Sequence, residues 1–158
     1  RDLTEFVMTS APVAVTRGTE AGDGVVGVPR VGCDLQEVAP VAEALAQRGQ
    51  RYLRALFAPE EIADLTRPDG RPLAAESVAG RFAAKEAVLK VLRPSADDAV
   101  AWPQIMIRSD AHGAPRVELR GTAARLARGA GLGAWSVSTS HDGGFAMAVA
   151  LAIRSPQP

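Results

Sequence analysis

The chain has 158 residues, 47% hydrophobic and 23% charged, which is room for one globular domain with a tail but not for two full domains, and too apolar for disorder. Eighteen basic residues balance eighteen acidic ones, so neither nucleic acid nor an anionic membrane is expected as the main partner, since both select a positive surplus. The single cysteine excludes a disulfide framework and a cysteine-built zinc site, and no apolar run approaches the roughly 20 residues of a membrane span; a reducing, cytoplasmic setting is expected.

In chain order, residues 1–24 read as an N-terminal extension or linker, with Arg17 to Gly24 a flexible connector and Ala11 to Val15 a short edge strand. The organised body runs over 25–153, followed by a tail over 154–158. Val25, Val26, Val28 and Val31 form a β-branched strand that delivers Asp34 at or near its end. Val41, Leu45, Tyr52, Leu53 and Leu56 recur at helical spacing over Val38 to Phe57, broken near Gly49. Pro59 with Glu60 and Glu61 opens a short helix, because proline suits the first position and acids suit the positive end. Thr66 to Arg71 is a turn, and a helix from Pro72 to Leu92 stops before Pro94. Ile105 to Ile107 and Arg116 to Arg120 are strands about a turn at Asp110 to Gly113, and Thr122 caps a short helix. Trp135 to Ser140 alternates and turns at Asp142-Gly143-Gly144. A last strand puts Phe145, Met147, Val149, Leu151 and Ile153 on one face and four alanines on the other, small enough for a helix or a neighbouring subunit to pack closely. Strands and helices mix without βαβ alternation, so the fold class is α+β: a largely antiparallel sheet with a long buried helix packed against it.

That helix carries the chemistry. Wound at about 100° per residue, Arg81 to Leu92 is apolar nearly all round, which implies burial on most sides. Charges set in it need partners, because an unpaired buried charge costs several kcal/mol. Only two lysines occur in the chain, Lys85 and Lys90, and both lie here. A plain reading makes Glu86 and Lys90 a helical i,i+4 pair worth about 0.2–0.5 kcal/mol. A sharper one joins Glu86 to Asp34 as hard oxygen ligands, a set that suits Mg²⁺ with substrate phosphate, with Arg81, Lys85 and Lys90 neutralising the phosphates.

Gly32-Cys-Asp-Leu-Gln-Glu-Val38, Gly80-Arg-Phe-Ala-Ala-Lys-Glu-Ala-Val-Leu-Lys90 and Ser136-Val-Ser-Thr-Ser-His141 together resemble the three ordered motifs of 4′-phosphopantetheinyl transferases, above all the short holo-acyl-carrier-protein synthase type. The resemblance implies transfer of phosphopantetheine from coenzyme A to a serine of an acyl carrier protein or carrier domain, releasing 3′,5′-ADP. It makes Asp34 and Glu86 the Mg²⁺ ligands and gives Glu86 a part in removing the serine proton, directly or through a water. Lys90 matches the lysine that neutralises or protonates the departing phosphate. Arg81 and Lys85 match residues near the coenzyme's phosphates, and His141 matches the histidine at the diphosphate. A homotrimer with sites between subunits is implied as well.

Two departures stand out. Arg93-Pro-Ser-Ala-Asp-Asp98 replaces a Gly-Thr-Gly loop, and Pro40 stands where the family often has an arginine facing an acidic carrier helix. With neutral net charge, this suggests a less acidic carrier, such as a domain of a multienzyme synthase. Arg48, Arg51 and Arg54 form either a docking strip or a solvated face. Ser140-His141-Asp142 is no hydrolase triad, since adjacent strand residues point to opposite faces. Cys33 reads as a small core residue, His112 as a solvated turn residue, and Trp102 and Trp135 as core or subunit contacts. The competing readings are a noncatalytic carrier-binding or assembly module on the same fold, and a different Mg²⁺-dependent nucleotide or phosphate enzyme.

Overall fold

A computed structural model describes residues 28–66 and 73–154. The expected linker, the Ala11 to Val15 strand, the turn following Thr66 and the tail beyond Arg154 lie outside these residues. Strand β1 (Arg30–Glu37) runs into helices α1 (Val38–Arg48), α2 (Gln50–Leu56) and α3 (Pro59–Leu65), then the long α4 (Ala75–Leu92). A hairpin of β2 (Ile105–Ser109) and β3 (Pro115–Leu119) follows, then α5 (Gly121–Gly129), β4 (Leu132–Asp142) and β5 (Phe145–Arg154). The α1/α2 break falls at Gly49, whose φ of 47° is open to glycine at little cost. Gly143 and Gly144, both at positive φ, make the tight turn between β4 and β5.

The main sheet is antiparallel in the order β1-β5-β4, so the expected α+β architecture is the one observed. Opposed residues share a face, and the register sets Asp34 and Thr139 on either side of Ala148, and Gln36 and His141 on either side of Ala146. That face, with Ala146, Ala148, Ala150 and Ala152 fully buried, lies under α4. The helix needs the small residues: a Cβ on Gly32 would stand 2.2 Å from the Ala87 carbonyl oxygen. Gly32→Ala should therefore cost about 3 kcal/mol, read as a fall in melting temperature of roughly 10 °C. An unchanged midpoint would show that strand and helix do not sit this close.

On its other sides α4 meets two apolar clusters. One holds Val88, Val91, Ile105 and Ile107, the other Val41, Leu53, Phe57 and Val78. The sequence pattern of an all-round apolar helix is thus met by burial on most sides. The outward face of the sheet is the unexpected part. Val31, Leu35, Phe145, Met147, Val149 and Ile153 are exposed there, from 36% for Val149 to 60% for Leu35.

Several local expectations need correction. Val28 precedes β1, which begins at Arg30, and α4 begins at Ala75; the expected strand residues Val25 and Val26, and Pro72 at the expected start of α4, lie outside the described residues. Thr122 does not cap α5; its own N–H donates to Gln104 Oε1 at 3.1 Å, and the helix already starts at Gly121. Cys33 is exposed rather than part of the core, because it pairs with Val149 on the outward face.

Candidate active site

The close approach of Gly32 to Ala87 brings β1 against the middle of α4, and Asp34 and Glu86 meet at this crossing. The Asp34 side chain is 7% exposed. Its Oδ1 accepts from Lys90 Nζ at 2.8 Å and its Oδ2 from Gln36 Nε2 at 2.8 Å. Lys90 Nζ also donates to the Cys33 carbonyl at 2.8 Å. Lys90 therefore pairs across to the strand rather than along the helix to Glu86. Burial first, and then the neighbouring Asp34 carboxylate, push the Glu86 carboxyl up to about 7 against the opposing pull of Lys90. Two carboxyls in contact in a half-dry place, one of them held by a lysine, need a shared proton or a cation between them. A divalent, oxygen-seeking ion suits this donor set.

The other expected residues fall elsewhere. Lys85 is fully buried and ion-paired with Glu61 at 2.7 Å. Burial lowers its ammonium to about 8, with Glu61 working against that shift. Its remaining bonds go to the carbonyls of Trp102 (3.0 Å) and Ile105 (2.5 Å), so its three N–H donors are all used. The expectation that Lys85 meets a coenzyme phosphate is corrected on this ground: the group has neither surface nor a spare donor.

Arg81 lies about 1.4 turns before Glu86, toward β4. Its guanidinium donates to the Ile107 carbonyl and to Ser109 Oγ, the latter at 2.6 Å, with Asp64 at 4.0 Å. Asp64 is fixed by Arg108 at 2.7 Å and by the Ser109 N–H at 3.0 Å. The Arg108 hydrogen bond chiefly holds its carboxyl below the usual range. Arg81 and the exposed His141 line one cleft of about 460 Å³, together with Ser77, Thr139 and Ser140. Asp34, Glu86 and Lys90 do not line that cleft. They sit at β1, the opposite edge of the sheet, two strand spacings or roughly 10 Å from β4. Helix α4 spans both edges, with Gly80 against Thr139 in its first half and Ala87 against Gly32 in its second.

Around this frame, Arg93 occupies the left-handed conformation (φ 53°) at the α4 C-cap, a place where glycine is at ease. Pro40 is half-buried, and Arg48, Arg51, Arg54 and His112 are exposed. The residues missed from sequence are Glu61, Asp64 and Gln36. Glu61 gave one signal, an acid at the third position of a proline-started helix. That signal accounts for its bond to the Ala58 N–H at 2.8 Å but not for its partnership with Lys85.

A profile of the 4′-phosphopantetheinyl transferase superfamily matches residues 30–150. A holo-[acyl-carrier-protein] synthase of Beutenbergia cavernae is 41% identical over 124 residues, covering 78% of this chain and 97% of that protein. One from Kocuria rhizophila is 39% identical, covering 77% and 89%. Among solved structures, the coenzyme A complex of the Chronobacterium ammoniagenes synthase superposes with a TM-score of 0.67 at 30% identity, over 82% of this chain and all of that one. The Helicobacter pylori synthase with coenzyme A gives 0.64 at 26% identity, over 77% and 98%. The chain belongs to the 4′-phosphopantetheinyl transferase superfamily, and within it to the holo-acyl-carrier-protein synthase type. It is an enzyme of coenzyme A-dependent phosphopantetheinyl transfer. The noncatalytic module finds no support among these relatives.

Proposed function

We propose that the chain moves 4′-phosphopantetheine from coenzyme A to a serine hydroxyl of an acyl carrier protein or carrier domain, releases 3′,5′-ADP, and uses Mg²⁺ held by Asp34 and Glu86. The observation that carries this reading is the meeting of Asp34, Glu86 and Lys90 where β1 crosses α4. Bound there, the ion supplies charge neutralisation at the diphosphate. Asp34 is strand-held and braced by Gln36 and Lys90, so its carboxylate keeps one direction. The Glu86 carboxyl, raised to about 7 by burial and Asp34, is in its ionised form basic enough to take the serine proton. Lys90 spends two donors on Cys33 and Asp34 and keeps the third for an oxygen of the departing phosphate. Arg81 and His141, in the cleft at the other edge, are assigned to the coenzyme's phosphates. Incubation with coenzyme A, Mg²⁺ and an apo carrier tests the whole: a carrier mass gain of one phosphopantetheine supports it, and binding without that gain sinks it.

Lys90→Arg should cut turnover by about 10²-fold, because a planar fork cannot enter a socket built for one ammonium between a carbonyl and a carboxylate. Wild-type turnover in that variant would remove Lys90 from the chemistry.

We further propose that the enzyme works as a homotrimer in the cytoplasm, where coenzyme A and carriers meet. The two groups of site residues lie at opposite edges of one sheet, so a closed ring of copies can set the β4 edge of one beside the β1 edge of the next. The exposed apolar outward face is what such an assembly would cover.

A further inference from the structure

Lys85 stands beside Glu86 in the Lys-Glu-Ala motif, yet its ammonium leaves the helix about 100° away and enters a sealed polar knot. Lys85 and Glu61 are both 0% exposed. Glu61 Oε2 takes the Lys85 ammonium at 2.7 Å and the Ala58 N–H at 2.8 Å, while Oε1 takes the Ile107 N–H at 2.8 Å. Lys85 also binds the carbonyls of Trp102 and Ile105, and its Nζ lies 5.0 Å from the centre of the Phe57 ring. The knot ties α4 to the first turn of α3, to the helical turn Trp102–Gln104 and to β2. A buried ion pair often adds no net stability over apolar packing, but it accepts only one geometry.

We infer that Glu61 and Lys85 are positioning residues: they set the rotation of α4 about its axis and through it the spacing of the Glu86 carboxylate from Asp34. The lever is short and sensitive. A helix rotation of about 10° carries a carboxylate about 6 Å from the axis through about 1 Å. A cation that demands oxygens at about 2.0–2.1 Å in an octahedron does not tolerate that error. The Gly32–Ala87 contact fixes how closely α4 approaches β1; the knot fixes which way the helix faces. This inference rests on the Mg²⁺ reading above.

The test uses Mn²⁺ titrated into the protein, with the bound fraction read by electron paramagnetic resonance, beside steady-state transfer kinetics. Two variants serve: Glu61→Asp, which keeps the charge and shortens the arm, and the double change Glu61→Gln with Lys85→Met, which removes both charges together. Each should weaken Mn²⁺ binding, the double change by about 10-fold or more. The KM for coenzyme A should stay within about twofold, and turnover should recover at saturating Mg²⁺. Unchanged Mn²⁺ affinity with a raised KM for coenzyme A overturns the inference and returns Lys85 to the phosphates; no change in either makes the knot a matter of folding alone. Asp34→Asn is the control for the underlying reading. If it leaves Mn²⁺ binding intact, the cation is not held here and both proposals fall. If it abolishes binding while Glu61→Asp does not alter it, only the positioning role falls.

Discussion

Glu86→Gln is expected to lower carrier modification by about 10³-fold while leaving the melting temperature at or above that of the wild type. The carboxyl sits where burial and Asp34 both oppose its ionisation. Its folded-state pKa is raised to about 7, so the ionised form costs the metal-free fold stability as pH rises through that value, and the neutral amide does not. The amide N–H can also donate to Asp34, so the side-chain contact survives. The amide loses the negative charge that would grip a divalent ion and the basicity that would take a proton from serine. Both roles fail together, which is why this change ranks above Lys90→Arg, where only the neutralising group is misplaced. The measurement is the rate of phosphopantetheine addition by intact mass, at Mg²⁺ raised until the wild type saturates. Near-wild-type rates there would remove Glu86 from the ligand set.

The second large effect is expected from a residue that touches none of the chemistry. Met147 is 47% exposed on the outward face, opposite Leu35 on β1 and Ser140 on β4. An aspartate there meets water in the isolated chain and costs the fold little. In an assembly that covers this face, it becomes an unpaired buried charge costing several kcal/mol for each copy. Met147→Asp should therefore run as a folded monomer by size-exclusion chromatography with light scattering. Its transfer rate should fall about 10²-fold or more, because Arg81 and His141 would no longer stand opposite the acid pair of a neighbour. A monomer of full activity would refute the shared site, and a persisting trimer would show that this face is not the interface.

The grouping of Asp34, Glu86 and Lys90 was legible along the chain because the two carboxylates and the lysine belong to runs with unmistakable local patterns. Asp34 follows a β-branched stretch, and Glu86 and Lys90 stand four apart on a helix that is apolar all round. Alternation over Phe145 to Ile153 set the two faces of the last strand without reference to any other element, and the register bears this out. Periodicity is a local property, and local properties survive in one dimension.

What it could not separate were the two lysines. Lys85 and Lys90 share a helix, a composition and a neighbourhood, yet one is sealed against Glu61 and the other, itself partly exposed, holds Asp34. The difference is made by elements 24 and 56 residues away along the chain. The same holds for Cys33, an ordinary small residue by its surroundings in the chain but an exposed one by its cross-strand partner. Residue type and spacing determined which acidic and basic groups the motifs carry. Only the packing of α4 between the sheet and the α3–β2 layer decided which reach a site and which hold the frame, because burial and charge pairing arise from contacts that lie far apart in sequence.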